Sequence, residues 1–95
     1  MKAIWKSLRI GDMVRFVQLP MLEGVRGSGL HPDTRELYEK LIARGYSHRV
    51  YEVDGDGLPW VSCRFKDKRG RWEYHFLAIN DDSWVRVRHR QPNGD

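Results

Sequence analysis

Cysteine is nearly absent: Cys63 is the only one in 95 residues. A lone thiol excludes an internal disulfide and any zinc site built from cysteines. It fits a reducing cytoplasm as the expected location. Long apolar runs are missing too. The opening MKAIWKSLR holds no stretch of the length a signal peptide needs, and no later window has the ~20 consecutive apolar residues of a membrane span. Metal-ligand spacing is lacking as well. His31, His48, His75 and His89 fall in four separate segments, without H-x-x-x-H or H-E-x-x-H. No metal or other cofactor is expected. GVRGSG (residues 24–29) lacks the G-K-[ST] ending of a phosphate loop, and no apolar strand leads directly into it. There is no internal repeat.

What the chain does have is large rings. Its four Trp, four Tyr and three Phe are the core material for one domain. Burying each is worth roughly 1.5–3 kcal/mol, enough to offset backbone ordering only narrowly. A mean hydropathy of -0.69 agrees with a thin core. The expected organisation is a lead-in over residues 1–7, one domain over 8–88, and a flexible tail over 89–95.

The segment LRIGDMVRFVQL (residues 8–19) anchors the reading. Gly11 and Asp12 make a turn, and Val14 and Phe16 then fall on one side of an extended chain. Pro20 ends that strand. Residues 21–32 read as a glycine-rich loop. A helix is expected from Asp33 to Arg44, with Asp33 and Glu36 as a capping box, Leu37, Tyr38, Leu41 and Ile42 as its apolar stripe, and Gly45 as its left-handed stop. Glu36 and Lys40 form an outward pair. The helix is expected to lie over an open barrel end.

Four more strands follow in the pattern. One, best defined from Arg49, ends near Val53 and has Tyr51 and Val53 on one side. Another runs from Trp60 to Phe65 with Val61, Cys63 and Phe65 together. The next runs from Trp72 to Leu77, with Trp72, Tyr74 and Phe76 together. The last, Ser83 to Arg88, places Val85 and Val87 inward and Trp84, Arg86 and Arg88 outward. A four-residue loop over residues 67–70 would set Phe65 beside Trp72, Cys63 beside Tyr74 and Val61 beside Phe76, all in the core. The same register sets Arg64 against Glu73 and Ser62 against His75 outside. The last strand is expected to close beside the first.

These residues carry a resemblance. GDMVRFV (residues 11–17) and NDDSWVRV (residues 80–87) resemble the opening and closing strands of SH3-like small barrels. The helix between the first two strands is an insertion relative to the simplest of them. The chain is also similar to small bacterial proteins of unassigned function that share GLPW (residues 57–60) and DDSW (residues 81–84). The resemblance implies a mainly β, five-stranded SH3-like small barrel with one inserted α-helix. It implies no activity, since such barrels serve as nucleic-acid, peptide and methyl-mark readers and as structural subunits.

Candidate chemistry is sparse. Cys63 with a histidine would be a nucleophile and base, but the expected register separates it from His75, so it reads as a buried structural thiol. Glu52, Asp54, Asp56 and Gly57 match the start of a calcium loop. A strand rather than a helix precedes them, however, and the twelfth position is Cys63, so they read as a β-turn. Asp81 and Asp82 read as turn formers. No catalytic constellation stands out, and an enzyme is not expected.

Charge is more informative. Arg64, Lys66, Lys68, Arg69 and Arg71 face Asp67 alone, a local excess equal to the +4 of the whole chain. The candidate binding surface is therefore Lys66, Lys68, Arg69 and Arg71 at one hairpin tip, Trp84, Arg86 and Arg88 on the last strand, and Trp60. Two functions fit it. One is a protein-interaction or accessory module using Trp60, Trp84 and the helix, for a partner the sequence does not identify. The other is a nucleic-acid-binding module using the basic tip and last strand. A charge of +4 is low for a chain whose main partner is polyphosphate, which favours the first.

Overall fold

The computed structural model describes residues 4–22, 25–27 and 29–87. It is mainly β, with one helix. In chain order the elements are a 3-10 turn (Ile4–Ser7), β1 (Met13–Phe16), β2 (Met21–Leu22), β3 (Val25–Arg26), α1 (Pro32–Arg44), β4 (Ser47–Val53), β5 (Pro59–Lys66), β6 (Trp72–Ala78) and β7 (Trp84–Val87). Five strands form one antiparallel sheet in the order β6-β5-β4-β1-β7. The last strand does return beside the first, with Arg15 opposite Val85. The sheet is not closed into a barrel: β6 and β7 stand at its two edges. A short β2-β3 ladder occupies part of the segment expected to be loop.

The helix matches its expected span, but its start differs. His31 is the N-cap, its Nδ1 accepting the Asp33 N–H at 3.1 Å, and Pro32 takes the first helical position. Proline suits that place because its missing N–H would have had no partner there. Asp33 and Glu36 therefore do not form the capping box. Gly45, at φ 67°, ends the helix as expected, and Lys40 Nζ lies 3.3 Å from Glu36. Tyr38 and Leu41 are buried, with Leu37 and Ile42 packed behind them. This stripe lies against one face of the sheet, where Tyr38 meets Phe16 edge-on at 5.7 Å. Val14, Phe16, Val50, Val61 and Cys63 complete that inner face.

Two hairpins share one loop chemistry. In the β4-β5 turn, Asp54 Oδ1 accepts the N–H groups of Asp56 and Leu58, and Gly57 has φ 83°. In the β5-β6 turn, Asp67 Oδ1 accepts those of Arg69 and Arg71, and Gly70 has φ 78°. Such a turn, closed by a glycine at positive φ, adds one residue to the second strand. The Asp67 N–H then bonds the Arg71 carbonyl at 2.8 Å, and Lys66 pairs with Trp72. The expected register was one residue away from this. Phe65 faces Glu73, Cys63 faces His75 and Val61 faces Leu77, so Trp72, Tyr74 and Phe76 turn to solvent.

β7 is also reversed from expectation. Trp84 is buried and Val85 exposed, because Trp84 pairs with buried Phe16. The residues before it fix this choice. Asp81 accepts the Tyr38 hydroxyl at 3.2 Å and both the N–H and hydroxyl of Ser83. Its carbonyl accepts the Trp84 Nε1–H at 2.9 Å. Asp82 holds Arg26 through two bonds of 3.0 Å, and the guanidinium keeps this carboxylate below its usual range. The DDSW segment thus clasps α1, β3 and the strand ends together. The turn-forming role expected of Asp81 and Asp82 is present, and it reaches beyond the turn.

Replacing Asp81 by Ala leaves the buried Tyr38 hydroxyl and Ser83 donors without an acceptor. It should cost about 2–3 kcal/mol in urea unfolding. A loss below roughly 0.5 kcal/mol, ordinary for a surface change, would contradict the clasp.

Candidate functional site

The sheet face away from α1 carries the most unusual surface. Period-two alternation puts Trp72, Tyr74 and Phe76 on that side of β6, at 48%, 60% and 60% exposure. Their spacing along the strand is about 7 Å, two strand rises. β5 supplies their cross-strand neighbours: Lys66 beside Trp72, Arg64 beside Tyr74, Ser62 beside Phe76. The Arg64 guanidinium lies 4.3 Å and the Lys66 ammonium 5.2 Å from the Trp72 ring centre. Ser62 is small and leaves room above β5 beside the Phe76 ring. A bulge in β4 between Val50 and Glu52 lets Tyr51 reach this face, where it meets Phe76 edge-on at 6.4 Å.

Leaving three large rings in water forgoes roughly 1.5–3 kcal/mol for each that burial would supply. A contiguous exposed row of this kind marks an interaction surface. The basic tip continues it. Lys66, Lys68, Arg69 and Arg71 are all exposed, and none of them, nor Arg64, is in an ion pair among the described residues. Glu52, paired with Trp60, is the acidic residue at the far end of the same face.

The other expected binding residues are placed differently. Trp84, at 9% exposure, belongs to the core and presents no ring to a partner. Trp60 is half-buried and donates its Nε1–H to Asp54 at 2.8 Å. Arg86 is exposed but tied to Asp12 at 2.9 Å and to the Ser7 hydroxyl. Arg88 lies outside the described residues. The hairpin tip therefore stands as a surface, while the last strand contributes little. The rings of this face, Trp72, Tyr74 and Phe76, are ones the alternation alone places in the core. Their one sequence signal was WEYHFLA itself, where polar Glu73 and His75 alternate with aromatics and either face fits.

The observed register also brings Cys63 and His75 together as cross-strand neighbours, against expectation. They do not make a nucleophile and base. No hydrogen bond joins them, His75 Nε2 lies 2.9 Å from Glu73, and burial pushes the Cys63 thiol pKa up, away from the thiolate. A cleft of about 320 Å³ between α1 and β6 is lined by Asp33, Glu36, Leu37, Lys40, Phe65, Glu73 and His75. Among the described residues no group of three or more His, Cys, Asp or Glu is arranged to hold a metal. None of their helices is long and apolar enough to cross a membrane.

His48 is the histidine buried in this core, beside Phe16 at 5.7 Å. Burial, the largest effect, disfavours its protonated form; the Ser62 backbone opposes it, and the nearby Arg44 charge adds a smaller push in the same direction as burial. The unfolded state therefore binds this proton more readily. Stability from His48 is present above the unfolded value near ~6.5 and is lost as pH falls through the folded one. An NMR titration of the His48 ring should give a midpoint below that of ordinary histidine; a midpoint at or above it would contradict this placement.

No family model matches the chain, and neither a curated protein nor a solved structure matches it. The outer face must be read from its own chemistry.

Proposed function

We propose that this protein is a small binding module whose outer sheet face takes single-stranded nucleic acid. The observation that carries the reading is the exposed row Trp72, Tyr74 and Phe76 flanked by cations that form no ion pair among the described residues. Flat rings stack on unpaired bases without demanding a sequence, and each stacked base is worth about 1–3 kcal/mol. Phe76 and Tyr74 are the stacking rings. Trp72 is held under Arg64 and Lys66 and marks the charged end of the row. Lys66, Lys68 and Arg69 neutralise phosphates as the strand runs on toward the tip. A duplex hides its ring faces, so unpaired strands are preferred.

A protein-interaction module, which the sequence favours, would use Trp60, Trp84 and the helix. Trp84 is buried and Trp60 has its polar handle engaged, so those residues lend it no support. The modest +4 is no obstacle either, because the excess is concentrated at one end of the aromatic row. Strand order supports the likeness to SH3-like barrels: four strands form a meander and the last returns beside the first. A lone, buried thiol supports residence in a reducing cytoplasm.

Fluorescence anisotropy with labelled single-stranded and duplex oligonucleotides tests the function. Single strands should bind more tightly than duplex, with affinity falling as salt rises. Y74A and F76A should each weaken binding by about 1–3 kcal/mol without lowering the melting temperature. K68A and R69A should reduce the salt slope by roughly one each. Absence of binding at low salt, or binding indifferent to Y74A and F76A, would overturn the reading.

A further inference from the structure

β6 is a sheet edge with few of the usual protections, Glu73 being its one charged residue. Its seven residues, WEYHFLA, contain no proline, glycine or lysine, and no bulge interrupts its pairing with β5. The phase of its hydrogen bonds is fixed at both ends. Asp67 N–H donates to the Arg71 carbonyl, and Ile79 N–H donates to the Pro59 carbonyl at 2.7 Å. Bonded pairs alternate in an antiparallel ladder, so Arg71, Glu73, His75 and Leu77 spend their backbone groups on β5. Trp72, Tyr74, Phe76 and Ala78 direct theirs away from the sheet. No described residue pairs with them.

We propose that a second copy of this chain fills that edge, β6 against β6 in antiparallel register, with the two-fold axis at Tyr74. The sequence is self-complementary in this register. Tyr74 faces Tyr74 of the second copy, and Trp72 faces its Phe76. On the opposite side of the sheet, Glu73 faces His75 of the second copy, and the reciprocal pair repeats it. Glu73 and His75 already lie within 2.9 Å in one chain, so the dimer sets acid and imidazole in alternation across the axis. All the bonds this register requires come from the outward backbone groups of Trp72, Tyr74 and Phe76, so the β5 ladder is undisturbed. A two-fold axis normal to the sheet keeps both outer faces on one side, and the two aromatic rows then lie side by side at the centre of a ten-stranded sheet, five strands from each chain. This association stands on the edge geometry and does not need the nucleic-acid reading. A shift of one residue would set Glu73 of one chain opposite Tyr74 of the other across the sheet, which a period-two ladder forbids.

The test is hydrogen exchange and sedimentation of the full chain, without nucleic acid, from micromolar to millimolar concentration. A monomer–dimer equilibrium is expected, in which the amides of Trp72, Tyr74 and Phe76 slow as the dimer forms. The amides of Glu73 and His75 should be slow throughout. Glu73→Lys should weaken the dimer by roughly threefold to tenfold through its two symmetric pairs, and Glu73→Lys with His75→Glu should restore it. Tyr74→Pro removes the outward donor at the axis, and should give a folded monomer by circular dichroism. A monomer at every concentration overturns the proposal. So does a dimer whose Trp72, Tyr74 and Phe76 amides still exchange fast, or one that Glu73→Lys leaves unchanged. Oligonucleotide binding by a strict monomer would overturn the dimer and leave the outer-face reading standing.

Discussion

One carboxylate oxygen governs the surface of this protein. Asp67 Oδ1 collects the backbone donors of Arg69 and Arg71, and Gly70 takes the positive φ that lets the turn close. A substituent at Gly70 would meet open space, so it is the backbone twist rather than crowding that calls for glycine there. The turn adds one residue, and one residue in a strand of period two exchanges the faces of every side chain that follows. Trp72, Tyr74 and Phe76 consequently face water while Glu73, His75 and Leu77 line the side toward α1.

The inner face tolerates that exchange because it is supported elsewhere. Val14, Phe16, Val50, Val61 and Cys63 supply the sheet side of the core, and Tyr38 and Leu41 supply the helix side. The DDSW clasp then adds Ile79 and Trp84 at the end of the sheet and ties Tyr38 to Asp81. At the basic end, Arg44 lies 4.1 Å over Phe65 and donates to the Arg64 carbonyl, covering the inner side of β5 beneath the outward cations. With this layer complete, the rings of β6 are not needed for folding and are free to serve as a surface.

Much of the fold is legible in the residues. Leu37, Tyr38, Leu41, Ile42 and Gly45 announce α1, and Val14 and Phe16 announce the first strand and its inner face. The last strand pairs with the first, as expected. The failures have physical causes. At Pro32 a helix-start rule for proline overrode a good acidic cap. At Ser83 to Val87 two alternating sets, Trp84 with Arg86 and Val85 with Val87, balance closely. The choice falls to Phe16 and to the distant Tyr38 acting through Asp81. At the β5-β6 hairpin, hydrophobicity favours rings inside, and a single bulge in the loop outweighs it. The candidate site is therefore half visible in the sequence: its cations stand out as charge, while the alternation of its rings reads equally as core.

The central claim is the register of β5 and β6, and it is open to direct measurement. Directly opposed residues that are not hydrogen-bonded bring their α-protons close together in an antiparallel ladder. Strong α-proton contacts by NMR should join Arg64 with Tyr74 and Lys66 with Trp72. Contacts joining Cys63 with Tyr74 and Phe65 with Trp72 would return the rings to the core and contradict the account.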